Sequence, residues 1–125
     1  MVKGRGAKAK GDGYERELAA FFNEVCGLNS HRTPLSGGGR GEALPDLTGT
    51  PGLAIEAKRH ERLSVDTWMQ QARKNCGLDR PVVINRKSRQ PTHDSYVVLY
   101  LQDFADLYSG WLAHKGYVKG ETDEA

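Results

Sequence analysis

Only two cysteines occur in the 125 residues, Cys26 and Cys76, and neither lies in a Cys-x-x-Cys or Cys/His cluster. A disulfide framework and a thiolate zinc site are thereby excluded, and two buried, reduced thiols are expected. Long apolar runs are also missing: no stretch reaches the roughly 18 residues needed to span a bilayer. The start, Met1-Val2-Lys3-Gly4-Arg5, lacks the apolar core of a signal peptide, so the chain reads as intracellular, in the cytoplasm. His31, His60, His93 and His114 lack the spacing of a metal-ligand set. The glycine-rich segment 37–41 is not followed by Gly-Lys-Ser/Thr, and no nucleotide cofactor is expected. Net charge is nearly absent as well, with 18 Lys+Arg against 16 Asp+Glu.

What is present is an ordinary globular composition, 38% hydrophobic and 27% charged, at a length suited to one domain. The charge is unevenly placed. Residues 58–90 hold nine basic side chains against three acidic ones, and the first ten residues hold Lys3, Arg5, Lys8 and Lys10 with no acid. Acids close the chain at Glu121, Asp123 and Glu124. Clustered Lys and Arg suit a polyanion, because each neutralised phosphate releases counterions. On charge alone, a solvated surface with a basic arm explains the pattern equally well.

Periodicity predicts a flexible basic arm over 1–11, one domain over 12–118 and an acidic disordered tail over 119–125. Asp12 and Glu15 have capping-box spacing, and Tyr14, Leu18, Phe21, Phe22 and Val25 recur at helical steps, predicting a helix over 13–26 that stops at Gly27. A short strand over 28–33 leads into a loop with four glycines in positions 34–41. Strands over 44–48 and 53–58, joined through Gly49-Thr50-Pro51-Gly52, read as a hairpin. Ser64 opens a helix carrying Val65, Trp68, Met69 and Ala72 inward. Strands follow over 81–85 and 95–101, separated by a polar loop. Asp103 opens a last helix with Phe104, Leu107, Tyr108 and Trp111 on one face; Trp68 and Trp111 are both expected in the core. The fold class is α/β with a mixed sheet, in the order αβββαββα.

A hairpin closed at 50–52 sets Asp46 directly opposite Glu56, with Cβ atoms about 4.5–5.5 Å apart. Lys58 falls on the same face two residues along, while Ile55 and Ala57 point into the core. Opposed like charges destabilise a sheet unless something positive lies between them. A hard divalent cation such as Mg²⁺, held by one or two carboxylates and completed by water and phosphate oxygens, fits. Lys58 could then hold the attacking water or stabilise charge developing on phosphorus. Without such a cation, Pro-Asp is simply a common turn dipeptide and Glu-x-Lys an ordinary strand charge pair.

Pro45-Asp46, nine residues, then Glu56-Ala57-Lys58 resembles the PD-(D/E)xK signature of the restriction-endonuclease-like superfamily. Within it the chain is most similar to the small Holliday junction resolvases of archaea and phages, over roughly residues 11–101, and its short basic-armed form is more like the phage members. The resemblance implies a restriction-endonuclease-like core, αβββαβ, with an added strand and C-terminal helix. It also implies a Mg²⁺-dependent endonuclease, with Mn²⁺ able to substitute, acting as a homodimer on branched double-stranded DNA and cutting opposed strands of a four-way junction. Glu15-Arg16-Glu17-Leu18 resembles the family's Glu-Arg-Glu-Leu segment, so Glu15 is implied to join Asp46 and Glu56 at the metal. Lys58 is implied to position the water. Arg32 matches a basic strand residue, and Ser36-Gly37 a loop that approaches the scissile phosphate. The loop is longer over 38–44 than in the compact archaeal members, which leaves the role of Ser36 open. Gln71 falls where many superfamily members place a glutamine, with Gln70 beside it on another face. Arg16, Arg40, Arg59, Arg62, Arg86, Lys87 and Arg89 are candidates for phosphate contacts, and His60 could touch DNA beside Lys58. The dimer surface is left open between residues 95–101 and the last helix. Two other functions stay in view: a nuclease of this fold acting on flaps, nicked or linear duplex, and a nucleic-acid-binding module that does not cleave.

Overall fold

The computed structural model describes residues 3–34 and 44–119, with side chains from residue 13 onward. Five strands and three helices are found there: α1 (Lys3–Cys26), β1 (His31–Arg32), β2 (Leu47–Thr48), β3 (Leu53–Lys58), α2 (Val65–Lys74), β4 (Arg80–Asn85), β5 (Tyr96–Val98) and α3 (Leu101–Lys115). A single 3₁₀ turn, Thr92–Asp94, precedes β5. None of the described helices is long and apolar enough to cross a membrane.

The centre is a three-stranded sheet, β3-β4-β5, with β3 and β4 parallel and β4 and β5 antiparallel. Parallel neighbours need a crossover, and α2 supplies it. Side chains alternate across β4, so Val82 and Ile84 join Tyr14, Leu18, Ala19, Leu47 and Ile55 in one core cluster under α1. Val83 turns the other way to meet Trp68, Met69 and Ala72 of α2. Because both faces of β4 are covered, Pro81 to Asn85 are all buried, as a continuous apolar strand requires.

Several expectations are corrected. The predicted 44–48/53–58 hairpin is replaced by two separate pairings: β2 pairs with β1, placing His31 opposite Thr48 and Arg32 opposite Leu47, while β3 pairs with β4. Between β2 and β3 only the Asp46 N–H to Ile55 carbonyl bond (2.9 Å) crosses, because the Asp46 carboxylate itself accepts the Ala57 N–H (2.8 Å) where a strand carbonyl would stand. The turn between them is closed by Thr50, whose carbonyl accepts the Leu53 N–H and whose hydroxyl donates to the Leu53 carbonyl.

The first helix begins at Lys3, so residues 3–11 are helical and Asp12 lies inside the helix instead of capping it. Ala and Lys propagate a helix readily once its packed residues, here Tyr14, Leu18 and Ala19, have anchored it. Val25 is exposed despite its periodic position, because the two-residue strands β1 and β2 leave the end of α1 uncovered. Ser64 precedes α2 but its side chain makes no capping hydrogen bond. Cys26 is exposed and Cys76 half-buried, unlike the two buried thiols expected.

At the C-terminal side, β5 ends at Val98 and α3 starts at Leu101, so Asp103 lies in the first turn, where its charge complements the helix dipole. Phe104, Leu107, Tyr108 and Trp111 do share a face, but no residue of α3 is buried, and Trp111 is 48% exposed. Trp68 alone of the two tryptophans is in the core. The helix is joined to the sheet by Arg80 of β4, which pairs with Asp103 at 3.9 Å and Asp106 at 3.8 Å.

Gly49 is the most constrained glycine. Its φ is +78°, and a Cβ there would collide with the Asn29 carbonyl oxygen and crowd Ser30 Cα at 2.9 Å. Gly49→Ala is expected to cost roughly 2–4 kcal/mol in urea unfolding, against about 1 kcal/mol for Gly27→Ala, whose φ is +69° but whose Cβ meets open space. Equal losses would show that the close approach to Asn29 contributes nothing.

Candidate active site

Alternation along β3 divides its side chains between two tasks. Ile55 goes into the core under α1, whereas Glu56, one residue on, turns to the α2 side. There the Asn75 amide donates to Glu56 Oε1 at 2.8 Å. Asn75 is four residues after Gln71 and therefore shares its helix face. Gln71 Oε1 accepts a hydrogen bond from Lys58 Nζ at 3.1 Å, and Lys58 lies 5.8 Å from the centre of the Trp68 ring. The choice between the two glutamines is thus decided by geometry in favour of contact through Gln71.

Asp46 completes the group from the segment before β2. Its Oδ2 is held by the Ala57 N–H, which brings its carboxyl into hydrogen-bonding reach of Glu56. Glu56 is only 3% exposed. Burial pushes its carboxyl up to about 7, the neighbouring Asp46 charge and hydrogen bond add to this, and Asn75 and Lys58 oppose it. A carboxylate pair poised this way takes up either a proton or a cation at neutral pH.

The exit of β3 is fixed by Asn85, a fully buried amide at the end of β4. Its Oδ1 accepts the His60 N–H at 2.9 Å and its Nδ2 donates to the His60 carbonyl at 3.0 Å. The Arg86 N–H donates to the Lys58 carbonyl, so the backbone on both sides of Arg59 is pinned. His60 faces the Trp68 ring, with 5.0 Å between centroids.

The structure gathers Asp46, Glu56, Lys58 and Gln71 but does not bring Glu15 into the same cluster. No group of three or more His, Cys, Asp or Glu that could hold a metal exists among the described residues. Glu15 is half-buried on α1, whose buried residues pack on the Ile55 side of β3. Arg86 is also unlike its expected role. Its guanidinium bonds Glu17 (3.1 Å) and the Gln90 carbonyl (2.7 Å) and lies over the Tyr14 ring, 5.4 Å from its centre, so it serves the fold. Burial raises the Tyr14 phenol above its ordinary value and leaves it a neutral donor to Ser95 Oγ at 2.7 Å.

The remaining basic candidates fall mainly on two loops. Arg59 and Arg62 follow β3; Lys87 and Arg89 follow β4. The Ser88 N–H donates to Glu61 Oε2 at 2.7 Å and ties the loops together. Arg62 and Arg89 are exposed, Arg59 and Lys87 half-buried. Arg16 is exposed on α1, and Arg32 sits half-buried on β1. Ser36, Arg40 and the other residues of the glycine-rich loop over 35–43 lie outside the described residues, as do 120–125 of the acidic tail.

Sequence reasoning missed Asn75 and Asn85. A signal existed for each: Asn75 stands one turn beyond Gln71, and Asn85 is a polar residue closing an otherwise apolar strand.

A buried acid on a strand, an acid from the preceding segment, and a lysine two residues on match the PD-(D/E)xK pattern. The family model described as "Phage putative PDDEXK endonuclease" matches residues 6–122, and the chain belongs to that family. No curated protein matches the sequence. Among solved structures, the Holliday junction resolvase Hjc of the archaeal hyperthermophile Archaeoglobus fulgidus aligns with a TM-score of 0.48 at 22% identity, covering 69% of this chain and 72% of that one.

Glu56 generates a pH dependence of stability. Its carboxyl binds a proton more tightly folded than unfolded, so folding takes up a proton between about 4.5 and about 7. Stability therefore falls as pH rises through that window, and the loss is complete above it. In metal-free buffer the melting temperature is expected to drop by about 5 °C or more from pH 5 to pH 8, and Glu56→Gln to flatten the profile. An unchanged slope in Glu56→Gln would place the cause elsewhere.

Proposed function

We propose that the protein is a Mg²⁺-dependent endonuclease that cuts four-way DNA junctions by hydrolysing phosphodiesters in opposed strands. Nuclease chemistry follows from the family; the metal, the substrate and the roles of single residues are the proposal. The observation that carries it is the Asp46–Glu56 carboxyl pair with Lys58 held beside it by Gln71.

The donor set suits a hard divalent ion. Two carboxyl groups sit side by side, one of them out of water, and their mutual repulsion is relieved by a positive charge between them. Asp46 and Glu56 would hold the ion, which when bound polarises a phosphoryl oxygen and lowers the pKa of bound water. Asn75 orients Glu56 by occupying one carboxyl oxygen. Lys58, fixed by Gln71 Oε1, presents its ammonium group to the attacking water and to charge developing on the phosphate. Arg59, Arg62, Lys87 and Arg89 contact backbone phosphates, which positions DNA without reading its sequence. Preference for a junction is supported by the likeness of Glu15-Arg16-Glu17-Leu18 and Ser36-Gly37 to segments of the small resolvases, in which two copies each supply one active site.

Cleavage of a labelled synthetic junction tests the reading. Chelation of the metal should abolish cutting. Asp46→Asn, Glu56→Gln and Lys58→Ala should each lose roughly 10²–10⁴-fold in rate, Gln71→Ala about tenfold, and Glu15→Ala, outside the carboxyl pair, less than tenfold. Parent rates in the first three variants would overturn the site; equal cutting of linear duplex of the same sequence would overturn the junction preference. Binding should weaken with salt, and Arg62→Ala should reduce the slope of log K against log salt by about one.

A further inference from the structure

The strand that carries the site and the helix that covers it meet at three points, in reverse chain order. Asn75, at the C-cap of α2, bonds Glu56; Gln71 bonds Lys58; and Trp68, near the start of α2, lies against Lys58 and His60. Positions 68, 71 and 75 are three and four residues apart, so they form one row along the helix. Hydrogen bonds make the first two contacts. The third is made by an indole.

Gln71 by itself is a weak hold on Lys58. Its side chain is exposed, and a single hydrogen bond exchanged against water fixes little of a side chain with as many rotamers as lysine. Trp68 is held far more firmly. It is 6% exposed and packs with Met69, Ala72 and Val83 in the core cluster under α2. His60 stands against the ring at 5.0 Å with the planes inclined by 47°, and the His60 backbone is itself clamped by Asn85. Lys58 Nζ lies over this fixed ring, 5.8 Å from its centre, within the distance at which an aromatic face attracts a cation. An aliphatic residue would fill the same core space without offering that face.

We infer that Trp68 is a positioning residue of the site: its ring face, together with Gln71, holds the Lys58 ammonium group where it reaches the attacking water. The inference rests on the role proposed for Lys58 and adds the element that confines it. A lysine released from the ring samples many rotamers away from the reacting phosphate. Loss of the ring therefore slows the chemical step and leaves DNA affinity unchanged.

Two measurements test it, one of them independent of cleavage. In proton NMR of the full chain, the ring current of Trp68 should place the Lys58 ε-methylene protons upfield of their position in Trp68→Leu. In single-turnover cleavage of the junction, Trp68→Leu should lose about thirtyfold or more in rate with affinity within about twofold, and Trp68→Phe, which keeps a ring face, about threefold at most. Met69→Ala, which removes core contacts beside Trp68, should cut at the parent rate. In a Lys58→Ala background Trp68→Leu should cost nothing further. Equal losses in Trp68→Leu and Met69→Ala would overturn the inference, since Trp68 would then act only as core, and so would an undiminished loss in the Lys58→Ala background. Identical Lys58 shifts in the parent and Trp68→Leu would overturn it as well; should Trp68→Leu not fold, Lys58 signals at the position of a fully exposed lysine in the parent would do the same. In each of these cases a parent that cuts sustains the nuclease reading, whereas an inactive parent overturns that reading.

Discussion

A carboxyl group held out of water beside a second carboxyl is the constraint around which the site is organised. Glu56, on the edge strand β3, would face solvent if that face of the sheet were open. Instead α2 closes over it, and the surrounding groups divide the resulting cost. The Ala57 N–H anchors Asp46, Asn75 bonds one Glu56 oxygen, and Lys58 lies near enough to lower the energy of the charged form. What these groups leave uncompensated is the affinity of the pair for a proton or a cation. In the proposed function, the same burial that weakens the metal-free fold at neutral pH is what would favour a cation between the two carboxyl groups.

The scaffold makes that burial possible by assigning the two faces of one sheet to different partners. Ile55, Val82 and Ile84 face α1 and pack a continuous apolar cluster; Val83 and Glu56 face α2. The site therefore lies on a strand whose opposite face is part of the larger core cluster, and its position is as rigid as that core. Asn85 extends the rigidity past the strand end by clamping both polar groups of the His60 peptide backbone. Beyond that clamp the chain enters the two basic loops, joined through Glu61 and Ser88, so the basic surface starts where the fixed site ends.

Much of this was legible in advance. Glu56 and Lys58 could be grouped because side chains alternate strictly along a strand, whatever the partner of that strand turns out to be; Asp46 was added through a hairpin register. The pairing itself was misread: the short spacing suggested a hairpin, whereas the Asp46 carboxylate took the place of a strand carbonyl and β2 went to β1. Gln71 was identified but not separated from Gln70, since a helix face can be chosen only once its packing partner is known. Glu15 was grouped with the acids by motif likeness alone. The burial of α3 was expected from its periodicity, but periodicity shows that apolar residues share a face without showing what that face meets.

The sequence by itself determined the number and kind of elements, the apolar character of β4 and the residue types of the nuclease motif, because local propensity and alternation act over a few neighbouring residues. Tertiary structure alone decided that Glu56 is buried, that Asn75 and Asn85 hold the site, that Arg86 serves the core and that the apolar face of α3 is exposed. Each of these depends on residues brought together from distant parts of the chain, as Asn85 and His60 are across 25 positions, and no local pattern carries that information.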